Sequence, residues 1–426
     1  MEKKQSLNWA AIAVMYLLFF MIAFVTNFAG SMGVILKAQF SVSNALTQLG
    51  SLANFIAYAC MGIPAGWILR SKGYKFTSLT AATVGFVGVG IQWLSGYAGA
   101  ESAFVVYVLG AFIAGLSMCM LNIVVNPMLN TLGGGGNRGN QLIQFGGACN
   151  SIGGTIAPVL LGYLIGGEVA KAQVADAAPA LLIAMGIFAL AFVIIFFSKI
   201  PEPHIETPEQ KAARLASKDS YSPMSFRHFV LGAIAIFLYV GIEVGIPNMA
   251  NLYMSNHPAV GAAIAGTVVG LYWFSMLIGR LIGGALGGKV SSKTMLLSVS
   301  TLAIILLLCT IFFPAEWAIE FKGVALPVSM VTMVLCGLCT SVMWGSIFNL
   351  SAEGLGKYTP AASGIFMAMV CGGGIIPFIQ GWIADIFNAG IEGYLYSYIV
   401  LIICLVYLIF YALIGSKNVN KDIPTE

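Results

Sequence analysis

WAAIAVMYLLFFMIAFVTNFA, residues 9–29, contains no charged residue, and its one amide is Asn27. At 1.5 Å of rise per residue, a helix of this length crosses the roughly 30 Å hydrocarbon core of a bilayer. The run is too long for the apolar segment of a signal peptide and no convincing cleavage site follows it. It therefore reads as a helix of the mature protein.

The same pattern recurs along the 426-residue chain. Apolar runs between loop signals fall at 9–30, 44–69, 76–98, 102–131, 139–166 and 178–198, then at 228–254, 261–287, 294–314, 325–351, 360–388 and 394–416. The expected fold is an all-α membrane protein with twelve transmembrane helices in two pseudo-symmetric six-helix bundles. Composition agrees: 59% of residues are hydrophobic and 8% charged, with a mean hydropathy of +0.92. A soluble domain carries about 25% charged residues, so this chain cannot cover a water-facing surface. Its partner is the lipid bilayer.

Between the two sets lies the one long hydrophilic connection, Ile200–Met224, with Pro201, Pro203 and Pro208 among Glu202, Glu206, Glu209 and Lys211. Residues 1–199 are thus expected to form the first bundle, 200–224 a cytoplasmic linker and 225–426 the second bundle. The halves echo each other. Gly153-Gly154, Pro158 and Gly162-Tyr163 in helix five match Gly373-Gly374, Pro377 and Gly381-Trp382 in helix eleven. Gly62-x3-Gly66 in helix two likewise matches Gly279-x3-Gly283 in helix eight. An offset near half the chain is the mark of parallel repeats.

Charge sets the orientation. With the N-terminus inside, seventeen of the twenty Lys and Arg residues fall on the inner side, and only Lys37, Lys171 and Lys322 fall outside. By the positive-inside rule both termini are cytoplasmic. The net charge of +4 is this topological signal and not a nucleic-acid patch. All eight cysteines lie in apolar segments, so Cys336-Gly-Leu-Cys339 reads as packing. Gly133–Gly136 lacks the Lys-Ser/Thr and the preceding strand of a phosphate loop. No cofactor and no metal are expected. No nucleophile, base and metal cluster share one depth, so the chain is not expected to be an enzyme.

Polar groups at membrane depth are costly and therefore mark function. Glu243, within YVGIEVGIP at 239–247, falls near the middle of helix seven, where a charged acid costs about 2.5–3.5 kcal/mol on insertion scales. It should face the bundle interior, as the neutral acid or beside a partner. Pro247 has no N–H, so the Glu243 carbonyl loses its helical partner at the same level. Helix four offers Asn122, Asn126 and Asn130 at i, i+4 and i+8, one polar stripe next to Pro127. Amides both donate and accept, which suits a neutral polyhydroxylated ligand; bonding between helices is the alternative. Helix one adds Asn27, helix two Gln48, Asn54 and Tyr58, and helix five Gln144 and Asn150. The second half adds Asn248, Tyr272, Trp273, Trp344 and Asn349. Arg70, Arg138 and Arg280 read as latches at cytoplasmic helix ends, and Asp385 as a gating or helix-end charge. On this reading no deep basic residue is present to clamp an anionic substrate.

These segments resemble the fucose–proton symporter family of the major facilitator superfamily, with its glucose- and galactose-type relatives, over nearly the full length. NPMLNTLG at 126–133, NSIG at 150–153 and GIPAG at 62–66 carry the likeness, with YVG at 239–241 and GGGIIP at 372–377 in support. The resemblance implies a secondary transporter in a bacterial inner membrane that imports a neutral sugar by alternating access, as a monomer, in symport with a proton or sodium ion. It also implies that Asn27 and Asn150 contact sugar. One departure matters. Fucose transporters place an acid four residues before the Asn-Pro of helix four and another in helix one; those positions are Asn122 and Gly30 here. Glu243 then becomes the candidate coupling group. A proton-coupled drug or metabolite exporter and an uncoupled sugar uniporter are the alternatives.

The charge bias makes orientation testable. A cysteine placed at Gly390 should react with an impermeant thiol reagent added outside cells, and one at Ser217 should not. Reversed labelling would overturn the assigned orientation.

Overall fold

The computed structural model describes residues 8–424, apart from 134–135, 167–168, 201, 203–220, 287–289, 315, 388–389 and 421. Most of the linker expected at 200–224 therefore lies outside the described residues, as do the side chains of Asn130, Arg138 and Gln144. Among the described residues, eleven helices are long and apolar enough to cross a membrane. One of them, Leu49–Ser95, has 47 residues, about twice what a bilayer needs. It is broken at Gly73, whose φ of 85° and ψ of 179° are not helical, so it serves as two crossings and the total is twelve.

In chain order, α1 is Trp9–Phe40. α2 opens as the short helix Asn44–Thr47 and runs on through 49–72, and α3 covers 74–95. α4 is Ala100–Leu132, α5 Gly136–Ile165 and α6 Ala178–Phe197. The second half begins with α7, Arg227–Asn256, followed by α8, Gly261–Leu286, and α9, Ser292–Phe312. α10 is Ser329–Ala352 and α12 is Glu392–Gly415. α11 comprises Thr359–Met369 and Gly372–Phe387.

Two differences from the sequence reading have clear causes. α1 does not stop at residue 30; it turns at Met32 and continues as Gly33–Phe40. α10 starts later than 325 because Ala318–Phe321 (β1) and Val324–Pro327 (β2) form an antiparallel hairpin. Its two-residue turn, Lys322-Gly323, has φ of 51° and 77°, the conformation that matches the twist of paired strands. Helix starts also need partners for their free N–H groups. The α3 start finds them in Glu202, whose carboxylate accepts from the N–H groups of Tyr74 and Lys75, the latter at 2.8 Å.

The halves meet along two seams, α5 against α8 and α2 against α11. Backbones touch there because glycine removes the side chain. A Cβ at Gly266 would lie 2.3 Å from the Pro158 carbonyl oxygen, and one at Gly381 would lie 2.6 Å from that of Asn44. These approaches cluster toward the end that carries Lys37. Toward the opposite end, where α7 starts at Arg227, Gly66 and Gly364 face open space.

Candidate functional site

Pro247 leaves the Glu243 carbonyl without its helical donor, and the structure supplies one. The Tyr272 hydroxyl on α8 donates to the Glu243 carbonyl oxygen at 3.0 Å. The same hydroxyl lies 3.1 Å from Thr340 Oγ1 on α10, and the Thr340 carbonyl accepts from the Tyr239 hydroxyl at 3.2 Å. Tyr239, one turn before Glu243, packs edge-on against Trp344 at a ring separation of 6.2 Å. Three helices of the second half are thus joined at the backbone carbonyl of a residue that also bears a carboxyl group.

That carboxyl has a cationic partner. Arg280 Nη2 lies 3.7 Å from Glu243 Oε1, with 18% of the Arg280 side chain and 15% of the Glu243 side chain exposed. The other nitrogen, Nη1, donates to the Gly147 carbonyl at 2.7 Å and to Ser151 Oγ at 2.9 Å, both on α5 of the first half. This corrects the sequence reading on two points. Arg280 is not a residue of a cytoplasmic helix end, and Glu243 is not the only deep charge. Arg280 sits at the depth of Glu243 and bridges the halves.

On the first half, Asn150 follows Gly147 on α5 and donates to the Phe19 carbonyl of α1 at 3.1 Å. Asn27 donates to its own helix, at Ala23, at 2.9 Å. The space above Gly154 is filled from both halves. A Cβ there would lie 3.1 Å from the Trp273 indole and 3.2 Å from Asn27 Nδ2. Trp273 is 5% exposed, so it faces the other half and not lipid. The amide stripe of α4 is anchored too: Asn122 donates to the Tyr58 hydroxyl at 2.9 Å, and Asn126 donates to the Asn122 carbonyl at 3.2 Å. Each of these four asparagines is half-buried.

Other expected site residues lie elsewhere. Asn248 is bonded to Gln48 Oε1 at 3.0 Å, and its own Oδ1 would be 2.5 Å from a Cβ at Gly30. The Asn248 amide fills the place beside Gly30, where a longer side chain would not fit. Asn349 is exposed, five residues past Trp344. Arg70 is half-buried at the Arg227 end and forms no ion pair among the described residues. Asp385 bonds across the halves at the opposite end, to the N–H groups of Asn44 and Ala45. Sequence reasoning missed Thr340 and Ser151; ordinary hydroxyls in apolar runs give no signal that they serve a partner helix.

A family model described as Major Facilitator Superfamily matches residues 12–377. The chain belongs to the major facilitator superfamily. A glucose/galactose transporter of Brucella abortus biovar 1 (strain 9-941) is 30% identical over 412 residues, covering 96% of this chain and 94% of that protein. A putative glucose/galactose transporter of Helicobacter pylori (strain J99 / ATCC 700824) is 28% identical over 96% of this chain and 98% of its own length. The crystal structure of the Escherichia coli fucose:proton symporter is similar with a TM-score of 0.64 at 21% identity, over 96% of this chain and 98% of that one. The family places the chain among membrane transporters and not among enzymes.

The Tyr272 bond has a measurable signature. Tyr272→Phe strands a carbonyl that Pro247 has already freed, and should destabilise the detergent-solubilised protein by about 1–3 kcal/mol in an unfolding assay. Pro247→Ala restores an N–H that can bond the Glu243 carbonyl, so Tyr272→Phe should cost less in that background. An equal cost in both backgrounds would assign the loss to the Thr340 contact instead.

Proposed function

We propose that this chain imports a neutral monosaccharide, or a close derivative, across a bacterial inner membrane by alternating access, in symport with a proton or sodium ion. The two halves, 1–199 and 225–426, move against each other about the linker at 200–224. The Lys37 end faces outward, both termini are cytoplasmic, and the monomer is the working unit.

The observation that carries the substrate class is the pairing of amides with aromatics. Asn27, Asn122, Asn126 and Asn150 offer donors and acceptors from the first half, while Trp273 and Trp344 offer ring faces from the second, with Tyr272 buried behind them and holding the Glu243 carbonyl. Hydroxyl-bearing rings use both: amides read the hydroxyls, and aromatic faces cover the apolar face of the ring. Gln144 is included by its sequence position. The relatives named glucose/galactose transporters support the same substrate class.

Arg280 does not change this conclusion, although it is a deep base. Its charge is paired with Glu243 and its Nη1 donors are engaged by Gly147 and Ser151, so it is not a free cation that would hold an anionic substrate. Glu243 is the coupling group in this reading. An acid held beside a cation at this depth can change its charge state once per cycle.

A thermal-shift screen of the purified protein against a panel of sugars tests the substrate class, since a ligand that binds only the folded state raises its melting temperature. Asn122→Ala and Asn126→Ala should each remove most of that shift while the protein still folds. A lost buried hydrogen bond to ligand costs roughly 1–3 kcal/mol, or about 5- to 150-fold in affinity. Unchanged affinity in both would make the stripe a packing feature.

Glu243→Gln tests coupling. It should abolish uphill accumulation in proteoliposomes yet keep exchange of labelled for unlabelled sugar. Full concentrative uptake by this variant would place the coupling ion elsewhere.

A further inference from the structure

At the Lys37 end, a polar cluster joins the halves without touching the central site. Asp385, near the end of α11, accepts from the N–H of Asn44 at 2.9 Å and from the N–H of Ala45 at 3.0 Å. Those groups open α2 in the other half and have no partner within their own helix. The nearby Ser43 hydroxyl serves only the Leu46 N–H, at 3.4 Å.

The Asn44 side chain extends the contact. Its Oδ1 accepts from the Tyr394 hydroxyl of α12 at 2.8 Å and from Lys37 Nζ of α1. Lys37 also donates to the Tyr394 hydroxyl and stands 5.0 Å from the centre of its ring. These residues line a cavity of about 310 Å3.

An independent feature makes the contact possible. Gly381 lies one turn before Asp385, and any side chain at 381 would collide with the Asn44 carbonyl. The glycine lets the α11 backbone run against the start of α2, which brings the carboxylate within hydrogen-bond distance of two backbone donors.

We propose that Asp385 is the latch of this end. It is a positioning residue whose carboxylate holds α2 of the first half on α11 of the second, and the carrier opens here only when both hydrogen bonds release. The proposal rests on the alternating-access reading and is independent of what the substrate is. In the open state both N–H groups and the carboxylate return to water, so only the net gain of two charge-assisted bonds biases the equilibrium. The loss of one such bond shifts that equilibrium by about tenfold. Asp385→Asn keeps the shape but presents one acceptor where two donors need it.

The test uses the full chain in proteoliposomes without substrate. Ser31 is 6% exposed and lines a small void deeper along the same interface, with Asn251 and Gly162. Ser31→Cys is nearly isosteric. Its reaction with an impermeant maleimide, added to each side in turn, reports opening of this end, with protein lacking the substitution as baseline.

Asp385→Asn should speed labelling about tenfold, Tyr394→Phe should speed it by less, and Asp385→Glu should lie closer to the parent. A purely structural role would lower the melting temperature and leave labelling unchanged. If Asp385→Asn does not fold, Tyr394→Phe and Lys37→Met carry the test. Labelling at the parental rate in the folded variants overturns the latch. Because no sugar is present, failure of the sugar assignment leaves this result intact, and failure of the latch leaves the sugar assignment intact.

Discussion

A bilayer core offers no hydrogen bond to a broken helix, and the centre of this protein is organised around one such break. Pro247 takes the donor away from the Glu243 carbonyl, and Tyr272 on α8 returns one at 3.0 Å. Because the Tyr272 hydroxyl also meets Thr340, and Thr340 meets Tyr239, the repair of one backbone bond aligns α7, α8 and α10. The carboxyl of the same residue is then held on a framework that cannot shift without stranding a buried carbonyl. A break that would weaken a soluble helix here fixes the position of an acid.

This part was legible in the sequence because its logic is local. A proline four residues after an acid frees that acid's carbonyl whatever the tertiary structure, and twelve apolar runs define twelve crossings. Arg280 was misjudged for a reason equally physical. It lies six residues before the end of α8, and counting it with other basic helix ends suited the charge bias. Yet side chains on a helix lean toward its N-terminus. α8 starts at the Lys37 end, so Arg280 reaches back into the membrane and not out of it. Its partners, Glu243 on α7 and Gly147 with Ser151 on α5, are 37, 133 and 129 positions away in the chain. No periodicity within one helix reveals such a meeting. The hairpin at 318–327 was lost differently, since its second strand, Val324–Pro327, is as apolar as the first turn of a membrane helix.

Glycine shapes the seams as strongly as polar groups shape the centre. Gly266 against Pro158 and Gly381 against Asn44 bring backbone to backbone between the halves. Such contacts are dry, specific and short-ranged, so they hold when formed and vanish after a small separation. Gly30 does something else with the same lack of a side chain. It makes room for the Asn248 amide, which bonds Gln48. Where the fucose-type pattern has an acid on helix one, this chain has a neutral amide contributed from the other half. Among the described residues, the ion pair at mid-depth belongs to the second half, at Glu243 and Arg280.

That concentration of charge has consequences for any cycle the carrier runs. The Arg280 guanidinium is held by two direct hydrogen bonds to α5, whereas its nearest distance to Glu243 is 3.7 Å, an ion pair longer than a hydrogen bond. Arg280 belongs to the second half by sequence but is anchored to the first by geometry. Glu243 is the partner that can let go. When the carboxyl is neutral, the guanidinium keeps both bonds to α5 and loses only the weaker, longer attraction. Contact between the halves at mid-depth runs through Arg280, which is paired with Glu243 of α7, while contact at the Lys37 end runs through backbone packing and Asp385. Two attachments with different chemistry allow one to weaken while the other still holds. A carrier needs that asymmetry if it is never to open at both ends together.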